Sequence, residues 1–119
     1  MTKTKHKFDL EERTFNFALK SRIFVKKLAK TLGNIEDSIQ LVKASGSVGA
    51  NYIEANEALS KKDFFMRIKI CRKEAKESCY WLRLVDTNNK LELENEREDL
   101  IQEAIELTNI FGSIIRKNS

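Results

Sequence analysis

Proline is absent from this 119-residue chain. No ring therefore removes a backbone donor, and long uninterrupted helices are permitted. Histidine occurs once, at His6, and cysteine twice, at Cys71 and Cys79. One terminal histidine and two separated cysteines make no zinc-ligand set. A His-based catalytic triad would depend on that same terminal residue. The two thiols stand roughly 12 Å apart along one helix by the 1.5 Å rise, too far for a disulfide. They read as reduced core thiols. No apolar run is long enough to span a membrane. The basic start, Met1-Thr2-Lys3-Thr4-Lys5-His6-Lys7, runs into Asp9, Glu11 and Glu12 without the apolar core of a signal peptide. A cytoplasmic protein without a cofactor is the expectation.

What the chain does contain is a mixture of 34% charged and 41% hydrophobic residues, as an amphipathic helical protein requires. The length suits one domain over residues 1–119, with residues 1–8 as a flexible basic arm. Charge is uneven. Lysine and arginine dominate residues 1–32 and 61–86, whereas Glu92, Glu94, Glu96, Glu98, Asp99, Glu103 and Glu106 make the segment after Lys90 acidic. Basic and acidic helices can pair at their edges, or a basic face can serve nucleic acid. A net charge of +4 does not separate the two.

Hydrophobic spacing predicts four helices. The first runs from about Asp9 to Leu32, with Leu10, Phe17, Phe24, Val25, Leu28 and Leu32 on one stripe. Gly33 is the expected stop. Asn34 is the expected cap of a second helix over about Ile35 to Leu59, with Asp37 completing a capping box. Ile35, Ile39, Val42, Gly46, Gly49 and Ile53 share one side of it, and Leu41, Val48, Tyr52 and Leu59 an adjacent side. No charge lies between Lys43 and Glu54, so the centre of this helix is expected to be buried. Each glycine there costs up to roughly 1 kcal/mol against alanine, which close packing can offset. A glycine-rich phosphate cradle is disfavoured, because neither a preceding strand nor a Gly-Lys-Ser/Thr ending is present.

Ser60 with Asp63 predicts the cap of a third helix, from about Lys61 to Asp86, with Phe64, Ile68, Cys71, Ala75 and Leu82 inward. Asn89 with Glu92 predicts the cap of a fourth, from about Lys90 to Arg116, with Leu93, Leu100, Ala104, Leu107, Phe111 and Ile114 inward. Short turns make successive helices antiparallel. The fold class is all-α, an antiparallel up-down four-helix bundle.

Apolar residues exceed what one core needs. Phe15, Leu19 and Ile23 lie opposite the main stripe of the first helix, and Met66, Ile70, Trp81 and Leu84 lie off the main stripe of the third. Such a patch marks a contact surface, here an oligomer interface. Glu54 and Glu57 lack the Glu-x-x-His pattern of di-iron bundles and are expected to accept hydrogen bonds or to pair with Arg67 or Arg72. Asn51 and Asn56 are expected to fix helix register. Lys61, Lys62, Lys69, Lys73 and Lys76, with Lys20, Lys27 and Lys30, are the candidate phosphate-contacting residues. Aromatic interleaving is poor. The expected mode is recognition of backbone or shape with steep salt dependence, and not base stacking.

Several runs have a recognisable pattern: Phe8 to Thr14, Phe24-Val25-Lys26-Lys27-Leu28 and, most strongly, Gly46 to Ala58. The pattern continues through Ser60 to Phe64 and Arg67 to Ser78, and ends at Trp81-Leu82-Arg83-Leu84. In these runs the chain resembles the bacterial 23S rRNA intervening-sequence proteins. Ala29 departs from the pattern, which often has proline there. The resemblance implies a four-helix bundle assembling as a ring-shaped homopentamer, without catalytic residues. A related branch looks like the accessory variability determinant of diversity-generating retroelements, a basic pentamer that engages nucleic acid and a reverse transcriptase. The expected function is therefore a non-enzymatic oligomeric scaffold binding structured RNA or DNA. The alternative is a protein-interaction module, such as a reverse-transcriptase accessory protein, without direct nucleic-acid binding.

Overall fold

The computed structural model describes the backbone of residues 2–118 and the side chains of residues 9–118. The side chains of residues 1–8, including His6 and the rest of the expected basic arm, lie outside the described residues. Four helices follow in order: α1 (Thr2–Lys26), α2 (Leu32–Asn56), α3 (Lys61–Leu84) and α4 (Leu91–Asn118). No strand occurs among the described residues. Around the bundle α1 touches α2 and α4, and α3 touches α2 and α4. Neither diagonal pair, α1 with α3 or α2 with α4, is in contact among the described residues.

The core is built from the predicted stripes of α1, α3 and α4. Phe17, Phe24, Ile68, Cys71, Leu82, Leu107 and Phe111 are fully or almost fully buried. On α2 the inward residues are Leu41, Ala44, Val48, Tyr52 and Ala55. The isoleucine side faces elsewhere: Ile35, Ile39 and Ile53 are exposed.

Gly46 and Gly49 lie inside the continuous helix α2, as expected. Their surroundings differ. A Cβ on Gly49 would stand 3.0 Å from the Thr14 hydroxyl and 3.2 Å from its Cβ. Thr14 cannot yield easily, because it is buried and its hydroxyl donates to the Leu10 carbonyl at 2.8 Å. A Cβ on Gly46 would meet the far end of Arg22, at 3.3 Å, which is free to swing.

Helix boundaries differ from the sequence expectation at the start of α1, which begins at Thr2 and not near Asp9, and at all three connections. α1 stops at Lys26, and its last turn closes with bonds from Lys27 N to Phe24 O and Leu28 N to Val25 O. Thr31, not Asn34, caps α2 by accepting from the Asn34 amide at 3.2 Å. Leu32 is 79% exposed and Gly33 lies within α2, so neither ends α1. The cause is long-range. The buried Asn34 side chain donates to Ala29 O and Asp86 O, and its Oδ1 accepts from Asp86 N at 2.8 Å. One amide thereby satisfies backbone from two connections. α2 ends at Asn56, and Leu59 is 98% exposed ahead of the Ser60 cap, which accepts from Asp63 N as predicted. α3 ends at Leu84, with Val85 extended. Asn88 and Asn89 both adopt left-handed backbone, φ 56° and 57°, so Asn89 does not take the extended conformation of a cap. Instead Glu94 accepts from the Thr87 hydroxyl and from Arg97, and Arg97 donates to Val85 O at 2.6 Å.

Asn51 and Asn56 do bridge helices: Arg67 donates to Asn51 Oδ1 at 2.9 Å, and Asn56 donates to Glu11 at 3.1 Å. Arg67 is thus not a partner of Glu54 or Glu57. Those carboxylates are exposed and form no ion pair among the described residues, contrary to expectation.

Two outcomes follow for stability. Gly49→Ala is expected to lower the unfolding free energy by about 1–3 kcal/mol through overpacking. Gly46→Ala is expected to be neutral or to gain up to about 1 kcal/mol from helix propensity; urea denaturation distinguishes them. Burial pushes the Cys71 thiol up from 9.0 to about 12, while its Sγ donates to Val48 O at 3.3 Å. The folded state favours the protonated thiol. That contribution is complete below the unfolded value and is lost as pH rises from about 9.0 towards 12. Unfolding measured across alkaline pH should show stability falling in that window. Cys71→Ala should shallow the fall, even though the variant starts from a lower plateau.

Candidate nucleic-acid interface

The two seams of α4 are electrically unlike. On the α1 side, Arg13 grips Glu103 through two hydrogen bonds, at 2.6 and 3.0 Å, and reaches Glu106 at 3.1 Å. The bond to Glu103 holds the Arg13 guanidinium well above its ordinary value. Bonds from Gln102 and then Arg13 lower the Glu106 carboxyl. Lys27 pairs with Glu96 at 2.6 Å and Glu92 at 3.7 Å. A groove of about 520 Å³ lies along this seam, with Arg13 and Lys20 facing Glu96, Asp99 and Glu103. Its sign is mixed, which suits pairing between helices better than a polyanion.

The seam between α3 and α4 carries no such acids. From Leu107 to Ser119 the sequence has no aspartate or glutamate. At about 100° per residue, Asp63, Glu74 and Glu77 of α3 turn towards its α2 side. Lys62, Lys69, Arg72, Lys76 and Arg83 turn towards α4. Two clefts open along this line. One, of about 300 Å³, is lined by Lys76, Cys79, Tyr80, Arg83, Ile105 and Thr108. The other, of about 440 Å³, is lined by Lys62, Phe65, Met66, Lys69 and Ile115. Between them Arg72 Nε lies 3.4 Å, and Arg116 Nη1 3.3 Å, from where a Cβ on Gly112 would stand. A side chain at Gly112 would push those guanidiniums away. No carboxylate among the described residues pairs with Arg72.

The eight candidate lysines therefore divide. Lys62, Lys69, Lys73 and Lys76 lie on the outer face of α3, and the Lys61 amine lies 5.8 Å from the Phe65 ring centre. Lys20 and Lys27 belong to the α1–α4 seam, Lys27 in ion pairs, and Lys30 is exposed in the α1–α2 connection. α1 and α3 do not touch, so the two groups do not share one surface. Arg72, Arg83 and Arg116 were missed as candidates. The first two share the helical period of Lys69 and Lys76, and that spacing was the available signal.

The candidate interface residues are accessible in the single chain. Phe15 is 65% exposed, Leu19, Ile23, Met66 and Leu84 are exposed, and Ile70 and Trp81 are half-buried. On α3, Ile70 and Trp81 turn towards the α2 side, whereas Met66 lines the cleft with Lys62, Lys69 and Ile115. Among the described residues no group of three or more His, Cys, Asp or Glu is placed to hold a metal ion. No described helix is long and apolar enough to cross a membrane.

Comparison with known proteins places this geometry in a family. A crystal structure of a protein of unknown function from the S23 ribosomal protein family of Bacteroides thetaiotaomicron matches with a TM-score of 0.76 and 29% identity. The match covers 89% of this chain and 97% of that one. A search of curated proteins finds no match. The family model described as 23S rRNA-intervening sequence protein matches residues 6–113. With nearly the whole bundle inside that match, the chain belongs to the 23S rRNA-intervening sequence protein family.

Proposed function

We propose that this protein is a non-enzymatic, oligomeric scaffold that binds structured RNA or DNA through basic surfaces repeated around a ring. The observation that carries the reading is the pair of α3–α4 clefts, lined by no acid and by Lys62, Lys69, Lys76 and Arg83, with Arg72 and Arg116 over Gly112 between them. Cations on a stiff helix neutralise phosphates by counterion release, without reading bases. A ring repeats the seam, and linked weak contacts gain avidity.

The assembly rests on two unlike apolar faces. One surrounds the α1–α2 seam, where Phe15 and Leu19 are joined by Ile35, Ile39 and Ile53. The other is the α2-side flank of α3, with Ile70 and Trp81 half-buried and Leu84 exposed at its edge. Each large apolar side chain covered contributes roughly 1.5–3 kcal/mol. Unlike faces pair head to tail, and head-to-tail pairing generates a closed ring when the rotation permits. The proposed unit is an antiparallel up-down bundle, and the family resemblance supports five copies as the size of the proposed ring.

Light scattering at micromolar concentration is expected to give a multimer, with Leu19→Glu, Ile39→Glu or Ile70→Glu shifting it towards monomer. A monomeric wild-type protein would remove the assembly. Titration of structured rRNA fragments and duplex DNA is expected to show binding at low salt that falls steeply as salt rises. Failure of the intact oligomer to bind either of these, or any single strand, at low salt would remove the nucleic-acid role.

A further inference from the structure

We propose that the α3–α4 seam takes a single strand of nucleic acid, with one base against Tyr80, another against Phe65, and an intervening phosphate on Arg72. The proposal rests on the nucleic-acid reading above and narrows its ligand. A merely electrostatic surface needs lysines and arginines alone. This seam also presents two aromatic rings, each inside a cleft and each flanked by cations.

Both rings are braced. Tyr80 is 55% exposed, and its ring meets Trp81 edge-on with centroids 5.0 Å apart. Phe65 meets Phe64 edge-on at 6.1 Å, with the Lys61 amine 5.8 Å from its centre. A platform already held by a neighbour loses little freedom when a base stacks on it. The clefts, about 300 and 440 Å³, are of the size that small planar ligands occupy. A duplex keeps its base faces stacked on one another and cannot lay them on these rings. An unpaired strand can, because every base has an open face for an aromatic partner.

The spacing fits a strand running along the helix. Phe65 and Tyr80 are separated by roughly 22 Å at the α-helical rise, and Arg72 lies about midway. Arg72 turns over Gly112, beside Arg116, so the phosphate position falls over a residue without a side chain, between one guanidinium from each helix. Sequence had argued against stacking on the grounds of sparse aromatics. What matters is that two of the few aromatics fall on the cationic flank.

Fluorescence anisotropy with labelled 15-nucleotide oligouridylate and oligothymidylate, against a 15-base-pair DNA duplex at the same salt, tests the proposal on the full-length oligomer. Either single strand is expected to bind more tightly than the duplex, and the tighter of the two identifies RNA or DNA as the better ligand. Tyr80→Ala is expected to weaken single-strand binding roughly five- to hundred-fold while leaving duplex binding unchanged. Arg72→Ala is expected to shallow the salt dependence by about one phosphate contact. Cys79, which lines the Tyr80 cleft, supplies a readout on the unmutated protein: the oligonucleotide, and not the duplex, should slow its alkylation. Equal or tighter duplex binding, with Tyr80→Ala without effect and Cys79 unprotected, overturns the single-strand site but leaves the broader nucleic-acid role standing. Absence of binding by strands, duplex and structured rRNA alike overturns both.

Discussion

Gly49 lacks a side chain because Thr14 occupies the space one would need. Much of the molecule depends on that approach. α1 sits close enough to α2 for Glu11 to reach Asn56, and it is then positioned for Arg13 and Lys27 to meet α4. Those two cations engage four of the seven acids that crowd residues 92–106, namely Glu92, Glu96, Glu103 and Glu106. The excess negative charge of α4 is thereby turned onto α1. What α4 shows at the two clefts beside α3 is Ile105, Thr108, Asn109 and Ile115, with Gly112 between them and no carboxylate. The net charge of the chain is small, yet its distribution is far from even, because the fold pairs four acids of α4 with α1 and leaves the α3–α4 clefts lined by cations.

The number and order of the helices, the Ser60 cap and the place of the glycine pair inside a continuous α2 were legible in the sequence, because they are local or periodic; both glycines are only half-buried. The end of α1 was not. Leu28 and Leu32 continue the stripe of Phe17 and Phe24, so periodicity carries the helix onward. The chain leaves it because Asn34 bonds to Asp86, a partner 52 residues away that no spacing rule contains. The orientation of α2 was hidden for a different reason. Two of its sides are apolar, and periodicity cannot rank them. The isoleucine side is the one left outside. The basic seam was half legible. Lysines were visible as a cluster, but their division between α1 and α3, and the arginines brought beside Gly112, depend on which helices touch.

Family membership and the geometry speak to different questions. The family match covers residues 6–113 and accounts for the bundle. The neighbouring crystal structure, from a protein of unknown function, extends that likeness to the whole fold. Neither assigns a ligand. The proposed ligand comes from α3 alone, a helix with a basic, aromatic flank on one side and an apolar flank on the other. Division of one helix between an interior stripe and two outer flanks explains why its composition looked surplus to a simple bundle.

The Asn34 clasp has a mechanical consequence. It fastens the α1–α2 and α3–α4 connections to each other at one pole of the bundle, through three hydrogen bonds to main-chain atoms. At the other pole the α2–α3 connection has its Ser60 cap and a fully projecting Leu59. The bundle is therefore fastened from turn to turn at one end, whereas at the other the described bond between elements is Asn56 to Glu11, from helix to helix. Tension applied to either clasped turn is shared by both, whereas lengthening the chain near Leu59 disturbs little beyond its own loop.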